Sequence, residues 1–351
     1  MKVVVLGLRG IPNIQGGVES HCENLYPYLV KLGCDVTIFI RACYYKNNQL
    51  PKEYKSVKLI PLWCPRSKNL ETFVHTFLAS LKVKKLKPDI VHIHAIGPSL
   101  LVPFLKAQGL KVVMTHHGPD YERKKWGKIT KVFLKLGEKN GVKNCDRLIT
   151  VSNRLKEEIY KKYGITAIHI PSGVNISEAI PPGEELKRWN LEPKKYVFTA
   201  CRFVPEKGLH DLIEAYKNIK NPPFKLVIAG DADQETEYSR NLKEMAKNTP
   251  GVVLTGFIKE KRLGELFSNA GLFVLPSYYE EFSIAVLEAL SYGLPILLSD
   301  IPQNKEIVFE KNKYFKTGDV KQLEKKLIEN YSLGITDLEK KKYRDLVKNE
   351  Y

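Results

Sequence analysis

The chain has 351 residues, enough for about two domains that each bury a core. A hydrophobic fraction of 43% belongs to a globular protein and excludes a disordered one. Lys and Arg outnumber Asp and Glu by 56 to 39, a net charge of +17 that suits phosphorylated small molecules, an anionic membrane face or nucleic acid.

No apolar run is long enough to span a bilayer. The opening Met-Lys-Val-Val-Val-Leu-Gly runs into a strand and not a signal peptide, which predicts a cytoplasmic protein. The cysteines, Cys22, Cys34, Cys43, Cys64, Cys145 and Cys201, form no Cys-x-x-Cys pair, and several lie in apolar periodic segments. They read as reduced core residues, with no case for a zinc site or a disulfide framework. No zinc finger or aromatic-basic ribonucleoprotein strand supports nucleic acid as a partner. The lysines spread over helices, as in Lys82, Lys84, Lys85, Lys87 and Lys124, Lys125, Lys128, Lys131, Lys135. They fit an anionic membrane surface, or plain solvated helix faces.

In chain order, strands are predicted over Lys2 to Leu8, Val36 to Ile40, Val57 to Leu62, Ile90 to His94, Val112 to Thr115, Leu148 to Val151 and Ala167 to Ile170. Helices are predicted from about Val18 to Leu32, Phe73 to Leu86, Ile129 to Asn144 and Arg154 to Tyr163. Pro171 to Pro193 breaks the alternation and reads as a linker, rich in Pro and Gly. The pattern restarts with strands at Tyr196 to Ala200, Lys225 to Ala229, Val252 to Thr255, Leu272 to Leu275 and Ile296 to Ser299, with a further strand near Tyr314. Helices over Val320 to Tyr331 and Asp337 to Lys348 close the chain. Strands alternating with helices mean parallel sheets covered on both faces, here an α/β protein of two Rossmann-like doubly wound domains. The expected boundaries are 1–175, a linker 176–195, 196–333 and a terminal helix within 334–351.

The densest chemistry lies between Ser277 and Pro295. The apolar run Leu272 to Leu275 ends at Pro276 and Ser277. Ile284, Leu287 and Leu290 then recur at helical spacing until Gly293 and Pro295 stop the helix. Glu280 falls in the loop and Glu288 one to two turns into the helix. Between them, the free backbone N–H groups near Phe282, Ser283, Ile284 and Ala285 make an anion site at the positive end of the helix dipole. Carboxylates on either side can accept bonds from hydroxyls. An anion beside hydroxyls points to a nucleotide sugar. The bland reading is a helix start with solvated acids.

Arg202 and Lys207 stand in Cys201-Arg-Phe-Val-Pro-Glu-Lys-Gly-Leu, directly after the first strand of the second half. Ligands of such sheets bind at strand C-termini. An Arg can hold a diphosphate bidentately and a Lys adds a point charge. Gly16-Gly17 precedes the first helix, where glycines let N–H groups approach an anion. Gly7 and Gly10 are wrongly spaced for the dinucleotide fingerprint. Gly230-Asp231 and Gly256-Phe257-Ile258 each end a strand. His92, His94, His116 and His117 lie near one sheet edge, His92 as a core histidine. No carboxylate pair at ligand spacing and no Asp-x-Asp element accompanies them, so no metal is expected.

With these residues the chain resembles retaining glycosyltransferases of family 4 type, which have the GT-B fold. Within them it is nearest to bacterial enzymes that transfer sugars onto surface polysaccharides. The resemblance covers nearly the whole chain. It rests on Glu280 and Glu288 with Ala289, Gly293 and Pro295 behind them, and on Arg202, Lys207 and Gly208. There are two departures. Glu281 stands where many members have Gly, and a Glu would be strained if that position needs a positive φ. The Gly230-Asp231 element lacks its second Gly.

The resemblance implies two domains facing across a cleft, with the last helix returning to pack on the first. It implies that Glu280 approaches the donor sugar and that Glu288 holds the nucleotide ribose. Arg202 and Lys207 would neutralise the pyrophosphate with the N–H groups at Phe282, Ser283 and Ile284. Backbone at Phe257 and Ile258 would read the base, and Gly16 and Gly17 would face donor phosphate or acceptor. His117 would lie near the sugar and act with Glu280 in catalysis. Asp120, Arg123 and Trp126 would stand on the acceptor side. The implied reaction moves a sugar from a nucleotide-diphosphate sugar to a saccharide or lipid-linked saccharide, with retention, without metal and without a further cofactor. A nucleotide-sugar epimerase of the same fold would form product without acceptor. A non-catalytic basic binding module would keep its binding after loss of Glu280.

Overall fold

Apolar strands alternating with amphipathic helices build two doubly wound units, Met1–Ser172 and Gly173–Tyr351. The computed structural model describes residues 1–45, 50–67, 70–122, 126–176, 178–308 and 310–351. The first unit runs β1 (Lys2–Leu6), α1 (Gly17–Lys31), β2 (Asp35–Arg41), β3 (Glu53–Tyr54), β4 (Val57–Leu62), α2 (Glu71–Lys82), β5 (Ile90–His94), α3 (Val102–Ala107), β6 (Val112–His116), α4 (Lys128–Asn144), β7 (Arg147–Thr150), α5 (Asn153–Tyr163) and β8 (Ile168–His169). The strand order is β3-β4-β2-β1-β5-β6-β7-β8, and only β3 is antiparallel to its neighbour.

The two faces of this sheet show the period of two directly. Val3 and Val5 of β1 pack with Cys22 and Tyr26 of α1, while Val4 and Leu6 pack with Ala79 of α2 and Leu105 of α3. Both faces are buried, so the strands read as continuous apolar runs. Winding proceeds one way from β1 through β2 to β4, then the other way through β5, β6 and β7. The reversal between β1 and β5 opens a crevice at the strand C-termini.

The second unit runs α6 (Glu184–Arg188), β9 (Tyr196–Ala200), α7 (Leu209–Asn218), β10 (Lys225–Ala229), α8 (Glu237–Lys247), β11 (Val252–Gly256), α9 (Glu260–Asn269), β12 (Leu272–Leu275), α10 (Ile284–Ser291), β13 (Ile296–Ser299), α11 (Pro302–Ile307), β14 (Tyr314–Phe315), α12 (Val320–Leu333) and α13 (Asp337–Glu350). Its sheet is parallel throughout, in the order β11-β10-β9-β12-β13-β14. That is the dinucleotide-binding order, with the reversal between β9 and β12.

Three features differ from the expectation. Residues 98–107 form a 3-10 turn and α3, hidden in sequence by Pro98 and Pro103, each of which sits in a first turn where its missing N–H is not needed. The expected linker is largely part of the second unit. Glu265 accepts from the N–H groups of Gly183 and Leu186 at 2.8 and 3.0 Å, and Arg262 Nε donates to Glu185 at 2.6 Å. The last helix, expected to return and pack on the first domain, belongs to the second unit. Its Tyr343 and Val347 are buried with Leu287 and Leu290 of α10, in the core of the second unit. Among the described residues no helix is long and apolar enough to cross a membrane.

Candidate functional site

β9 and β12 are paired neighbours, so the turns that follow them lie side by side. After β9 come Arg202, a 3-10 turn over Pro205–Lys207, and Gly208. Gly208 has φ +63°, and a Cβ there would lie 2.1 Å from the carbonyl oxygen of Pro276. The carbonyl of Glu206 accepts from the N–H groups of Tyr278 and Tyr279 at 2.9 and 3.4 Å. The turn after β9 is thus laid directly on the loop after β12. This contact brings Lys207 Nζ onto Glu280 Oε1, which also accepts from Ser277 Oγ at 2.7 Å. Arg202 pairs with Asp233 at 3.0 Å.

α10 begins one residue after Ser283, whose side chain does not cap it. Among the described residues, the N–H groups of Phe282, Ser283, Ile284 and Ala285 make no hydrogen bond. Unfilled donors at a helix start favour an anion, and Lys207 stands nearby through Glu280. Glu281 does not occupy a positive φ, so the strain considered for that position is absent. Its Oε2 accepts from Tyr279 at 2.9 Å.

Glu288 projects from α10, half-buried. Its carbonyl accepts from Ser291 Oγ at 2.7 Å, whereas its carboxylate has no hydrogen-bond or ion-pair partner among the described residues. Desolvation raises its carboxyl to about 7, against a smaller opposing effect of the Lys259 charge. Phe257 is exposed, with Lys259 Nζ 5.9 Å from its ring centre. Ile258 is buried. Gly230 donates to the Gly256 carbonyl at 2.9 Å and joins the ends of β10 and β11.

The first unit gathers neutral groups at its own reversal. A row of hydrogen bonds runs from Thr115 Oγ1 to His92 Nε2 at 2.8 Å, from His92 Nδ1 to Tyr26 Oη at 3.0 Å, from Tyr26 to His94 Nε2 at 2.5 Å, and from His94 Nδ1 to His117 Nε2 at 2.9 Å. His21 of α1 lies edge-on to His94 and His117, 5.6 and 5.1 Å between ring centres. Burial lowers His21 to about 4 and His92 to about 3, and holds His94 and His117 well below the usual range. His92 is the core histidine the sequence suggested.

His116 faces the other way. Its Nδ1 accepts from Gly118 N–H at 3.0 Å and its Nε2 meets Glu138 at 3.2 Å. Burial alone would raise Glu138, yet bonds from His116, Lys162 and Tyr163 outweigh it and hold the carboxyl at about 2. This network fixes the turn that carries His117 and Asp120. Asp120 and Trp126 are half-buried, and Arg123 lies outside the described residues. Gly16 is closely covered: a Cβ there would lie 1.9 Å from Glu19 Oε2. Glu19 Oε1 accepts from Arg9 N–H at 3.0 Å, so the chain's own carboxylate fills that side of the loop. Gly17 meets open space.

The family model described as Glycosyltransferase Family 4 matches residues 15–178, and that described as Glycosyl transferases group 1 matches residues 183–351. The two halves are joined in one chain in the matching order. The chain belongs to the family 4, group 1 glycosyltransferases. The putative teichuronic acid biosynthesis glycosyltransferase TuaC of Bacillus subtilis is 26% identical, over 80% of this chain and 76% of that one. The UDP-Gal:alpha-D-GlcNAc-diphosphoundecaprenol alpha-1,3-galactosyltransferase of Escherichia coli is 29% identical, over 85% of this chain and 75% of that one. Among solved structures, Anabaena HepE in complex with UDP-glucose superposes with a TM-score of 0.79 at 15% identity, over 100% of this chain and 95% of that one. The fold is therefore GT-B.

Sequence reasoning on this glycosyltransferase missed the parts that hold the site without charge. In the sequence Gly208 reads only as a motif member, yet it sets the contact between the two turns. Tyr278 was not singled out. It donates to Asp211 at 2.6 Å and stacks on His210 with 6.0 Å between ring centres, which fastens the loop to α7. A Tyr two residues before the first Glu was the available signal. Gly208→Ala places a methyl against the Pro276 carbonyl in a left-handed backbone, at a cost of at least about 1–2 kcal/mol. Thermal unfolding of this variant is expected several degrees below the parent. An unchanged midpoint would show that the turn relaxes freely.

Proposed function

We propose that this glycosyltransferase moves a sugar from a uridine diphosphate sugar to a saccharide or lipid-linked saccharide acceptor in cell-surface polysaccharide or glycolipid synthesis. The observation that carries the reading is the meeting of Lys207, Glu280 and the unbonded N–H groups of residues 282–285 at one strand reversal. A diphosphate seated there takes several aligned donors and a cation, fixed before it arrives. Such a site stabilises the charge that develops on a departing diphosphate. Lys207, with Arg202 in the same turn after β9, supplies the positive charge that a metal supplies elsewhere, so the reaction runs without metal. Glu280 lies before the helix start and meets the sugar. Glu288 accepts from the ribose hydroxyls, and backbone at Phe257 and Ile258 meets the base. No residue is assigned as a covalent nucleophile. Attack on the donor's own face, with the leaving phosphate oxygen taking the acceptor proton, gives retention. His117, with Asp120 and Trp126 nearby in sequence, serves the acceptor side. The names of the galactosyltransferase and of the HepE complex support the uridine donor, and the former supports a lipid-linked acceptor.

A lipid-linked acceptor asks for a membrane-facing surface, and exposed apolar side chains of the first unit support that reading. Ile129, Val132, Phe133 and Leu136 lie exposed along one stripe of α4, at 76% for Ile129 and 65% for Val132. Phe73, Phe77 and Leu81 lie exposed along α2, and Phe77 meets Phe104 of α3 at 6.4 Å. Exposed lysines flank these side chains, Lys128, Lys135, Lys139 and Lys143 on α4 and Lys82, Lys84 and Lys85 at the end of α2. Apolar side chains among lysines suit the inner, anionic face of a bilayer, where the enzyme would sit as a peripheral protein.

The donor reading is tested by calorimetry with UDP-glucose. Lys207→Ala removes a charge-assisted contact of about 1.5–3 kcal/mol, so binding should weaken at least tenfold. Equal affinity would take Lys207 out of the site and the reading with it. Ribose hydroxyls bind the ionised carboxylate of Glu288, whose carboxyl stands near 7 before the ligand arrives. Binding must remove its proton below that pH, so affinity should rise up to about tenfold from pH 6 to 8. Glu288→Gln should flatten that rise, and a rise that persists in the variant belongs to another group. Vesicles test the surface. Those with anionic lipid should retain the enzyme over neutral ones, less so as salt rises, and Val132→Glu with Phe133→Glu should release it. Equal partitioning onto both vesicle types would leave these helices as ordinary solvated faces.

A further inference from the structure

We propose that His21, His94 and His117 form a binding site for a borderline divalent cation, zinc above all. One ring nitrogen from each lies within 4.8 Å of the other two. The strand reversal of the first unit brings them together: His94 ends β5, His117 follows β6 and His21 projects from α1. His94 Nδ1 and His117 Nε2 face each other at 2.9 Å and share one proton. In a tetrahedral set with zinc–nitrogen bonds of about 2.0–2.1 Å, two ligand nitrogens stand only a little farther apart. An ion can therefore take the place of that proton with a small parting of the rings. The His21 ring has no hydrogen-bond partner among the described residues and meets only the edges of His94 and His117, so its swing toward the ion breaks no hydrogen bond.

The surroundings are those of ligand histidines. A ligating His donates its other ring N–H to a fixed acceptor, which sets tautomer and orientation. His94 Nε2 meets Tyr26 Oη at 2.5 Å, Tyr26 can then donate to His92 Nδ1 at 3.0 Å, and His92 Nε2 meets Thr115 at 2.8 Å. With the ion on His94 Nδ1, each bond in this row has one donor and one acceptor. Three imidazoles without a carboxylate favour zinc, copper or nickel over magnesium and calcium. Three imidazoles leave the fourth position of a tetrahedral ion for water. The sequence places His94 and His117 near one sheet edge, but His21 stands far from them along the chain and no ligand spacing joins the three.

Under the transfer reading above, an ion on His117 removes the lone pair that would serve the acceptor, so zinc inhibits and chelator leaves turnover intact. The decisive test is on binding and does not depend on that reading. The full chain, dialysed against chelator, is titrated with zinc by calorimetry and with cobalt by visible absorption. One equivalent of zinc should bind at micromolar concentration or tighter, and cobalt should show a tetrahedral spectrum without a thiolate band. His94→Ala should weaken zinc at least about a hundredfold. Tyr26→Phe, which keeps all three ligands, should weaken it about 10–100-fold. Cys43→Ser with Cys64→Ser should leave it unchanged. These two thiols lie 2.9 Å apart and are the rival source of zinc ligands. Absence of stoichiometric binding, a thiolate band, or affinity that survives His94→Ala and falls with the cysteines would overturn the proposal. Should His94→Ala not fold, the cobalt spectrum and Tyr26→Phe decide alone.

Discussion

The contact between the turn after β9 and the loop after β12 carries the second unit's site. It is a backbone contact. Gly208 lies against the Pro276 carbonyl, and the N–H groups of Tyr278 and Tyr279 close onto Glu206. Only a residue without Cβ allows that approach at φ +63°. Lys207 and Glu280, 73 positions apart in the chain, meet because of it. Their side chains are 16% and 7% exposed, so each is partly desolvated and compensates the other. A cation held by its own carboxylate beside unfilled N–H donors is fixed before any diphosphate arrives.

The two units share a winding plan and fill their reversals with opposite chemistry. In the second unit the reversal collects charges: Arg202, Lys207, Glu280 and the positive end of α10. In the first it collects imidazoles that burial keeps neutral, joined by Tyr26 into one hydrogen-bonded row. The difference traces to what lies behind each turn. The His116 ring is taken up by Glu138, which bonds from His116, Tyr121, Lys162 and Tyr163 engage, and this leaves His117 to face His94. Neutral rings with lone pairs are suited to hydroxyls and to borderline divalent cations, and poorly suited to holding a diphosphate.

Most of the fold was legible because buried parallel strands are short apolar runs. Ile90–His94, Tyr196–Ala200, Lys225–Ala229, Leu272–Leu275 and Ile296–Ser299 stand where the pattern put them. The region of Pro98 to Ala107 was not legible, since prolines at first turns look like helix breakers. The segment from Gly183 to Arg188 looked like a linker, since Glu265 and Arg262, which hold it, lie about 80 residues away. The charged residues Arg202, Lys207, Glu280 and Glu288 could be found from motif spacing. Tyr278 and the His21–His94–His117 cluster could not, because their meaning comes from neighbours that only the folded sheet supplies. The Gly16-Gly17 pair fits a plain tight turn as well as a loop facing an anion, and only the fold shows that Glu19 lies against Gly16 while Gly17 meets open space.

The central claim is a division of labour: Lys207 and the start of α10 hold the diphosphate, while Glu280 acts on the sugar being transferred. Glu280→Gln keeps the shape and removes the charge. UDP affinity and sugar transfer should be measured side by side on this variant. The account predicts UDP binding that is unchanged or tighter, since Lys207 loses its competing carboxylate, with turnover reduced at least about a hundredfold because the lost contact is made to the reacting group. Loss of UDP binding, or turnover equal to the parent, would contradict it.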